Sequence, residues 1–243
     1  MKDISVVLPC YNREKTIENE VLEVYTCLVG LKSIGDIEGF EVVVVDDGSE
    51  DNTLSRLKRL EKAMPFLTIL TYGKNMGKGH AVKAGVLLSK GAVVCFMDAD
   101  LSAPPSELRR FMYLLNSLDS GVVIGSRAGE GSLVNVPQPI YRRIMGRIFS
   151  LISSKIVPLG GISDTQCGFK MFKREEANLL FSKQKADGFS FDVEILHMAR
   201  KSNIPIIEVP VVWSDKPGSS VRPFRDAFSM LLDLLKIRFL WGR

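Results

Sequence analysis

Two histidines and four cysteines among 243 residues leave little of the material from which nucleophilic, zinc or redox sites are usually built. His80 and His197 both fall in helical patterns and read as structural, so neither a Ser-His-Asp nor a Cys-His hydrolase has its base. Cys10, Cys27, Cys95 and Cys167 stand alone, without the CxxC or CxxH spacing of a zinc site. Cys10 and Cys95 lie at or inside apolar strand-like runs, where cysteine acts as a small buried hydrophobe. A reducing cytoplasm is the expected compartment. No apolar run reaches the ~18–20 residues that span a bilayer, and Met1-Lys2-Asp3 leads into a strand pattern rather than a signal peptide. The first strand–helix turn, Pro9-Cys10-Tyr11-Asn12, holds no glycine, so the dinucleotide fingerprint is missing where a Rossmann fold requires it. Internal repeats and low-complexity linkers are absent as well, which leaves one domain as the simplest division.

What remains is an ordinary globular composition, 46% hydrophobic and 25% charged, able to bury a core without metal or disulfide. The net charge of +4 is unevenly spread. Gly131 to Ser163 contains no acid, only Arg142, Arg143, Arg147 and Lys155, and Arg222 to Arg243 carries five basic and two acidic residues. The rest of the chain is net acidic. Both basic segments interleave with aliphatic residues, a poor pattern for binding nucleic acid.

The first half alternates strand and helix signals. Ile4–Leu8, Glu41–Val45, Leu67–Tyr72 and Ala92–Met97 are short apolar runs of the kind buried in parallel sheets. Helical patterns lie between them, roughly Thr16–Leu31, Asp51–Ala63 and Gly79–Ser89, and Val122–Ser126 adds a further strand. This spacing predicts right-handed βαβ units and a doubly wound α/β sheet. The alternation then weakens into a Pro/Gly-rich loop (Gly129–Pro139), a long helix, a strand Gly168–Phe172, a helix near Asp192–Arg200, a strand Ile204–Trp213 and a final helix.

Ligands of such sheets bind beyond the carboxyl ends of the strands, and that is where the acids are. Asp98-Ala99-Asp100 follows six apolar residues, so both carboxylates can reach one point as the chain leaves the sheet. Two like charges so close repel, and Mg²⁺ or Mn²⁺, held partly by carboxylates and partly by phosphate, removes the conflict. A solvated turn with Asp98 capping the next helix is the alternative. Asp46-Asp47 occupies the same place after its strand. One of the two can accept from a uracil imide or from the amide and amine of guanine, while the other bonds loop N–H groups; an Asx turn plus helix cap is again the alternative. Gly77-Lys78-Gly79 opens a helix, and Lys78 is a candidate nucleotide contact, though it also reads as an exposed helix-entry lysine.

With these positions in place, the sequence resembles the family 2, GT-A-fold glycosyltransferases. The agreement runs through Val-Val-Leu-Pro-Cys-Tyr-Asn (6–12), Val-Asp-Asp-Gly-Ser (45–49), Asn-Met-Gly-Lys-Gly-His-Ala (75–81), Asp-Ala-Asp-Leu-Ser (98–102) and Gly-Ser-Arg (125–127). Asp-Thr-Gln-Cys-Gly-Phe-Lys-Met-Phe (164–172), Phe-Ser-Phe-Asp-Val-Glu-Ile-Leu (189–196) and Glu-Val-Pro-Val-Val-Trp (208–213) look most like the dolichyl-phosphate β-glucosyltransferases, with the polyprenyl-phosphate mannosyltransferases as close relatives. The resemblance implies a donor half, 1–128, and an acceptor and membrane half, 129–243. It implies that Pro9, Tyr11 and Asp47 frame the base, with Asn12, Glu14, Asp46, Lys78 and Ala99 also on the donor. Asp98 then lies near ribose and metal, Asp100 holds the metal, and Arg127 faces the reacting phosphates. Two positions depart from the pattern. Ser102 stands where mannosyltransferase relatives often carry Gln, and Gly218-Ser219-Ser220 replaces Gly-Ser-Lys, so that Lys216 or Arg222 would have to supply the missing charge.

An acceptor lipid phosphate is mostly ionised near neutral pH and needs no strong base. Arg142 or Arg143 would hold it, since guanidinium matches phosphate bidentately, and Asp192 and Glu194 would orient hydroxyls, unless one of them only caps or salt-bridges its helix. One displacement inverts the anomeric centre. Tyr141, Ile144, Met145, Ile148, Ile152 and Ile156 recur at helical spacing opposite Arg143 and Arg147, and Phe224, Phe228, Leu231, Leu232, Leu235 and Phe239 form a second stripe, widened by Met230, Leu234, Ile237 and Trp241. Such basic amphipathic helices can lie in the cytoplasmic face of an anionic membrane; packing on the domain itself, or against a second copy in a homodimer, is the other use of the pattern.

Overall fold

The computed structural model describes residues 3–128, 131–136, 140–216 and 223–241. In chain order the elements are β1 (Ile4–Cys10), α1 (Ile17–Ser33), β2 (Phe40–Asp46), α2 (Thr53–Ala63), β3 (Leu67–Thr71), α3 (Lys78–Leu88), β4 (Val93–Met97), α4 (Glu107–Ser117), β5 (Val122–Ser126), β6 (Leu133–Val136), α5 (Ile140–Ile156), β7 (Phe169–Lys173), α6 (Arg174–Lys183), α7 (Phe191–Lys201), β8 (Ile206–Pro210), β9 (Val212–Ser214) and α8 (Pro223–Trp241).

Seven strands form one sheet in the order β3-β2-β1-β4-β7-β5-β8, and β6 pairs with β9 in a separate ribbon. The strands β1, β2, β4 and β5 are largely apolar on both faces because both faces are covered. Val6, Leu8, Val42, Val44, Cys95 and Met97 point into one core with Ile17, Val21, Val24 and Leu28 of α1, Leu57 of α2, and Leu108 and Phe111 of α4. Their neighbours Val7, Val43, Val45, Val94 and Phe96 point into the other, with Val82 and Val86 of α3, Phe181 of α6, Phe191 of α7 and Leu234 of α8. The period of two along each strand thus sorts the side chains between two helical layers. In α1 the buried positions Ile17, Val21, Val24, Leu28 and Leu31 follow helical spacing, with Glu18 and Glu20 in the first turn and Lys32 in the last, favourably placed for the helix dipole. Phe96 is fully buried, with its ring 5.6–6.4 Å from those of Phe172, Phe181 and Phe191; burial of such a side chain contributes about 2–3 kcal/mol.

The chain runs from β1 outward through β2 to β3, then returns to the other side of β1 for β4, in parallel throughout. The switch point, and hence the crevice, lies between the carboxyl ends of β1 and β4. Beyond β4 the sheet departs from simple alternation. β7 is antiparallel to both β4 and β5, so its amino end lies on the same rim as their carboxyl ends.

Other expectations need correction. The segment read as one strand from Ile204 to Trp213 breaks at Val211, and its two parts, β8 and β9, join different sheets. The Pro/Gly-rich loop contains β6, and α4 and α6 fill segments without a sequence assignment. Among the described residues no helix is long and apolar enough to cross a membrane.

Candidate active site

The rim is assembled from strand ends and interlocking loops. After β1, Asn12 donates its backbone N–H to Ser49 Oγ (2.9 Å) and accepts from Glu50 N–H through Oδ1 (2.8 Å). Glu14 Oε2 accepts from the backbone (3.0 Å) and side-chain (2.9 Å) nitrogens of Asn52. Both residues therefore latch the loop after β1 onto the loop after β2, and Asn12 adopts a left-handed φ of 52° to do so. Pro9 and Tyr11 are half-buried beside them.

Asp46 and Asp47 both bond loops. Asp46 accepts from Ser49 N–H (3.3 Å) and Thr71 Oγ1 (3.0 Å). Asp47 accepts from Met76 and Gly77 N–H at 2.8 and 3.0 Å, clamping the segment that leads into α3. Burial raises the Asp47 carboxyl above its ordinary range, although these amides and Tyr72 pull the other way. Gly48 permits the junction: at φ 69°, a Cβ there would lie 2.4 Å from the Lys74 carbonyl carbon.

At the end of β4, Ala99 is buried while Asp98 and Asp100 are only half-buried. An alanine plugged into the core between two aspartates keeps both carboxylates on the rim. Asp98 donates its N–H to Gly168 O (2.8 Å), and its Oδ1 lies 2.6 Å from Lys78 Nζ. Gly168 gives that carboxylate its space, since a Cβ there would come within 2.0 Å of Asp98 Oδ2. Asp100 Oδ1 accepts from Ser102 N–H (2.9 Å) across Leu101, which is held at φ 52°. Burial first, then the Asp98 charge, raises the Asp100 carboxyl; Ser102 and Arg13 act against this. Asp98 does not cap the next helix, whose N-cap is Ser106.

On the far side of the crevice the acids meet cations. Arg127, just past β5, grips Asp164 through Nε (2.7 Å) and Nη2 (2.8 Å), donates its backbone N–H to the same carboxylate (2.9 Å), and lies 5.6 Å from the Trp213 ring centroid. Burial would raise Asp164, but the charge and bonds of Arg127 outweigh it and hold the carboxyl at about 2. Glu208 in turn accepts from the N–H groups of Ser163 and Asp164. Lys170, wholly buried on β7, reaches Asp192 Oδ1 (2.6 Å) and Cys167 O (2.7 Å). Burial raises the Asp192 carboxyl despite Lys170 and Lys78, both of which favour its charge.

The structure therefore brings Asp98, Asp100, Lys78, Arg127 and Asp192 around the crevice, with Asp46, Asp47, Asn12 and Glu14 as its loop supports. Glu194 faces elsewhere. Fully buried, it accepts from Lys185 N–H (3.1 and 3.0 Å), Ala186 N–H (2.7 Å) and the Trp241 indole N–H (2.8 Å). Residues two apart on a helix do not share a face, so Glu194 anchors α8 while Asp192 faces Lys170. The side chains of Arg142, Arg143, Phe224 and Phe228 lie outside the described residues, as do Gly218, Ser219, Ser220 and Arg222. Sequence reasoning missed Asp164 and Lys170 as partners. The available signal was a lysine in the strand Phe169–Lys173, between two apolar neighbours, which calls for a buried anion.

Among the described residues no three His, Cys, Asp or Glu side chains gather into a metal cage. The Asp98–Asp100 pair still suits Mg²⁺ or Mn²⁺. These ions take hard oxygen donors and share their shell between one or two carboxylates and substrate phosphates, and the repulsion from Asp98, which adds to burial in raising Asp100, is a conflict a divalent cation would relieve.

A doubly wound sheet with paired carboxylates at its switch point defines a GT-A-like protein, and known structures agree. Glucosyl-3-phosphoglycerate synthase from Mycobacterium tuberculosis, in complex with Mn²⁺, UDP and glucosyl-3-phosphoglycerate, superposes with a TM-score of 0.69 at 21% identity, over 99% of this chain and 80% of that one. A mannosyltransferase from Pyrobaculum calidifontis, in complex with GDP-Man and Mn²⁺, gives 0.61 at 19% identity, over 98% of this chain and 70% of that one. Residues 5–179 match the glycosyl transferase family 2 model. The dolichyl-phosphate beta-glucosyltransferases of Dictyostelium discoideum and Homo sapiens are 34% and 33% identical, over 97% and 99% of this chain and 74% and 77% of their own lengths. The chain belongs to glycosyltransferase family 2.

Proposed function

We propose that the protein transfers glucose from UDP-glucose to dolichyl phosphate or a related polyprenyl phosphate, with inversion at the anomeric carbon. The observation that carries this reading is the Asp98–Asp100 pair held on the rim at the β1–β4 switch point by a buried Ala99. The near-full-length likeness to dolichyl-phosphate beta-glucosyltransferases supports the sugar and the acceptor.

Asp98 and Asp100 would hold Mg²⁺ or Mn²⁺, which when bound would neutralise charge on the departing diphosphate. Pro9, Tyr11 and the Asp47-clamped segment would enclose the base, and Lys78 would reach the phosphates. Asp164 occupies the Nε–Nη2 edge of Arg127, so Arg127 would offer its Nη1 edge to phosphate from an orientation fixed by Asp164 and Trp213. Arg142 or Arg143 would receive the acceptor phosphate, whose charge makes a strong general base unnecessary.

The acceptor carries a long apolar chain, and the surface suits one. On α5, Tyr141, Ile144, Ile148 and Leu151 are 52%, 53%, 51% and 63% exposed, and α8 presents Leu231, Leu232, Leu235, Phe239 and Leu240 outward while Met230, Leu234 and Ile237 pack inward. We infer that these faces lie in the cytoplasmic surface of a membrane.

The test is transfer from labelled UDP-glucose to dolichyl phosphate with Mn²⁺. We expect wild-type turnover and a loss of about 10³-fold in Asp100→Ala, with an unchanged melting temperature. The likeness to the GDP-Man complex favours one alternative, mannose transfer from GDP-mannose, and turnover of that donor alone would replace the reading. Nucleotide binding without turnover of either donor would instead make the protein a regulatory module.

A further inference from the structure

Four charged side chains from four elements alternate in sign across the crevice. Lys170 on β7 pairs with Asp192 at the start of α7, and Lys78 at the start of α3 pairs with Asp98 after β4. Lys78 stands between the two acids of this series, and both Asp98 and Asp192 favour its charge. Its backbone is fixed, because the preceding residue, Gly77, donates its N–H to Asp47. Its side chain is one-fifth exposed and meets Asp98 at the rim rather than in the core.

Lys78 engages Oδ1 of Asp98, one of the two carboxylates that would hold the divalent cation. An ammonium bonded to that oxygen occupies a lone pair, and at an effective dielectric of about 20 its charge strongly opposes a second cation a few ångströms away. A diphosphate reverses the balance, since it offers the ammonium new anionic oxygens and offers the metal additional ligands. We propose that Lys78 is a built-in competitor for the metal: it holds Asp98 until a nucleotide diphosphate draws it away, so that metal and donor bind interdependently. The inference rests on the donor reading above and adds to it a reason for ordered loading. Asp192, neutralised from behind by Lys170, would steady the ammonium as it changes partner. Linkage makes the coupling reciprocal: metal tightens nucleotide by the factor by which nucleotide tightens metal.

The test is a Mn²⁺ titration followed by electron paramagnetic resonance, with metal alone and with saturating UDP (or GDP, for the alternative donor). Wild type, Lys78→Met and Lys78→Arg are compared after a thermal melt verifies folding. In wild type, UDP should tighten Mn²⁺ binding at least about tenfold. Lys78→Met should bind Mn²⁺ alone about five- to tenfold more tightly than wild type, bind UDP more weakly, and show a smaller coupling factor. Lys78→Arg, which keeps the charge, should keep the coupling. Unchanged or weaker binding of Mn²⁺ alone by Lys78→Met overturns the inference while leaving the donor reading intact, provided UDP still tightens metal in wild type. Absence of Mn²⁺ binding in every protein, with or without nucleotide, removes both.

Discussion

On the β2–β3 side of the rim the carboxylates are held by neutral donors: Asp46 by Ser49 N–H and Thr71 Oγ1, Asp47 by Met76 and Gly77 N–H. On the β7–β5 side they are held by cations, Asp192 by Lys170 and Asp164 by Arg127. Neutral donors leave the charge in place and shape the loop around it, whereas a buried cation cancels the charge and makes a rigid wall. Between these sides stands Asp100, with one backbone N–H, Asp98 beside it, and no ion pair among the described residues. The difference is why, in the proposed reading, an added cation would go to the centre of the crevice rather than to either side.

The sharpest way to break the comparison is to remove a cation from the wall. Lys170 is wholly buried and Asp192 nearly so, so Lys170→Met strands a buried carboxylate and should cost about 3–5 kcal/mol in urea unfolding. Changing both residues together, Lys170→Met with Asp192→Leu, should recover most of that loss, because the desolvated charges disappear as a pair. A single substitution costing under about 1 kcal/mol would place Asp192 among the carboxylates that manage without a cation.

Arg127 holds Asp164 at about 2, below the ordinary 3.8. A carboxyl depressed in the folded state contributes stability that is complete above its unfolded value and lost as pH falls through the folded one. The Asp164 contribution, on the order of 2 kcal/mol, should therefore fade between about pH 4 and pH 2. Arg127→Met should narrow the stability gap to wild type over that window. Asp47 has the opposite sign, since burial raises its carboxyl; its share is present at low pH and lost as pH rises through the raised value. Stability curves of Arg127→Met and Asp47→Asn that bend the same way between pH 2 and pH 5 would erase the distinction between the two sides.

How much of this was legible in the sequence follows the same division. The strands from β1 to β5 announce themselves because burial demands short, mostly apolar runs, completely so in β4, and Asp98 and Asp100 stand out because they end that run. β7 was legible as a strand but not in its direction, since its insertion between β4 and β5 depends on pairings far apart in the chain. The ion pairs were illegible for the same reason: Asp164 lies 37 residues from Arg127, and Asp192 lies 22 from Lys170. Asp47 was read as a base contact or a loop support, and its bonds to Met76 and Gly77 could not be read locally, because they come from a segment 29 and 30 residues away.

A smaller effect sharpens the neutral-donor side. Asparagine at position 47 keeps one acceptor oxygen and turns the other into an NH₂ group, which cannot accept from Met76 or Gly77. Asp47→Asn should cost about 1.5–3 kcal/mol at neutral pH, less the desolvation relieved by losing the charge. Its larger consequence should be a raised KM for the donor with kcat little changed, because the segment that it clamps leads directly into Lys78.

The smallest effect on stability belongs to the outward faces of α5 and α8, and there the comparison extends from charge to apolar surface. Leu234 and Ile237 are buried, while Leu235 and Phe239 on the same helix are 53% and 77% exposed. Truncating the first pair opens a cavity and should cost about 2–5 kcal/mol each as alanine. Phe239→Ser removes apolar area that folding leaves mostly in water, and should stay within about 0.5 kcal/mol of wild type; Leu235→Ser, at a half-buried position, should cost somewhat more but far less than truncation of the buried pair. If these faces seat the enzyme on the lipid that presents its acceptor, the same substitutions should release it from anionic vesicles and reduce transfer to vesicle-borne acceptor. Transfer to a short, water-soluble prenyl phosphate should be unaffected, and equal losses on both acceptors would assign α8 to the catalytic fold rather than to the membrane.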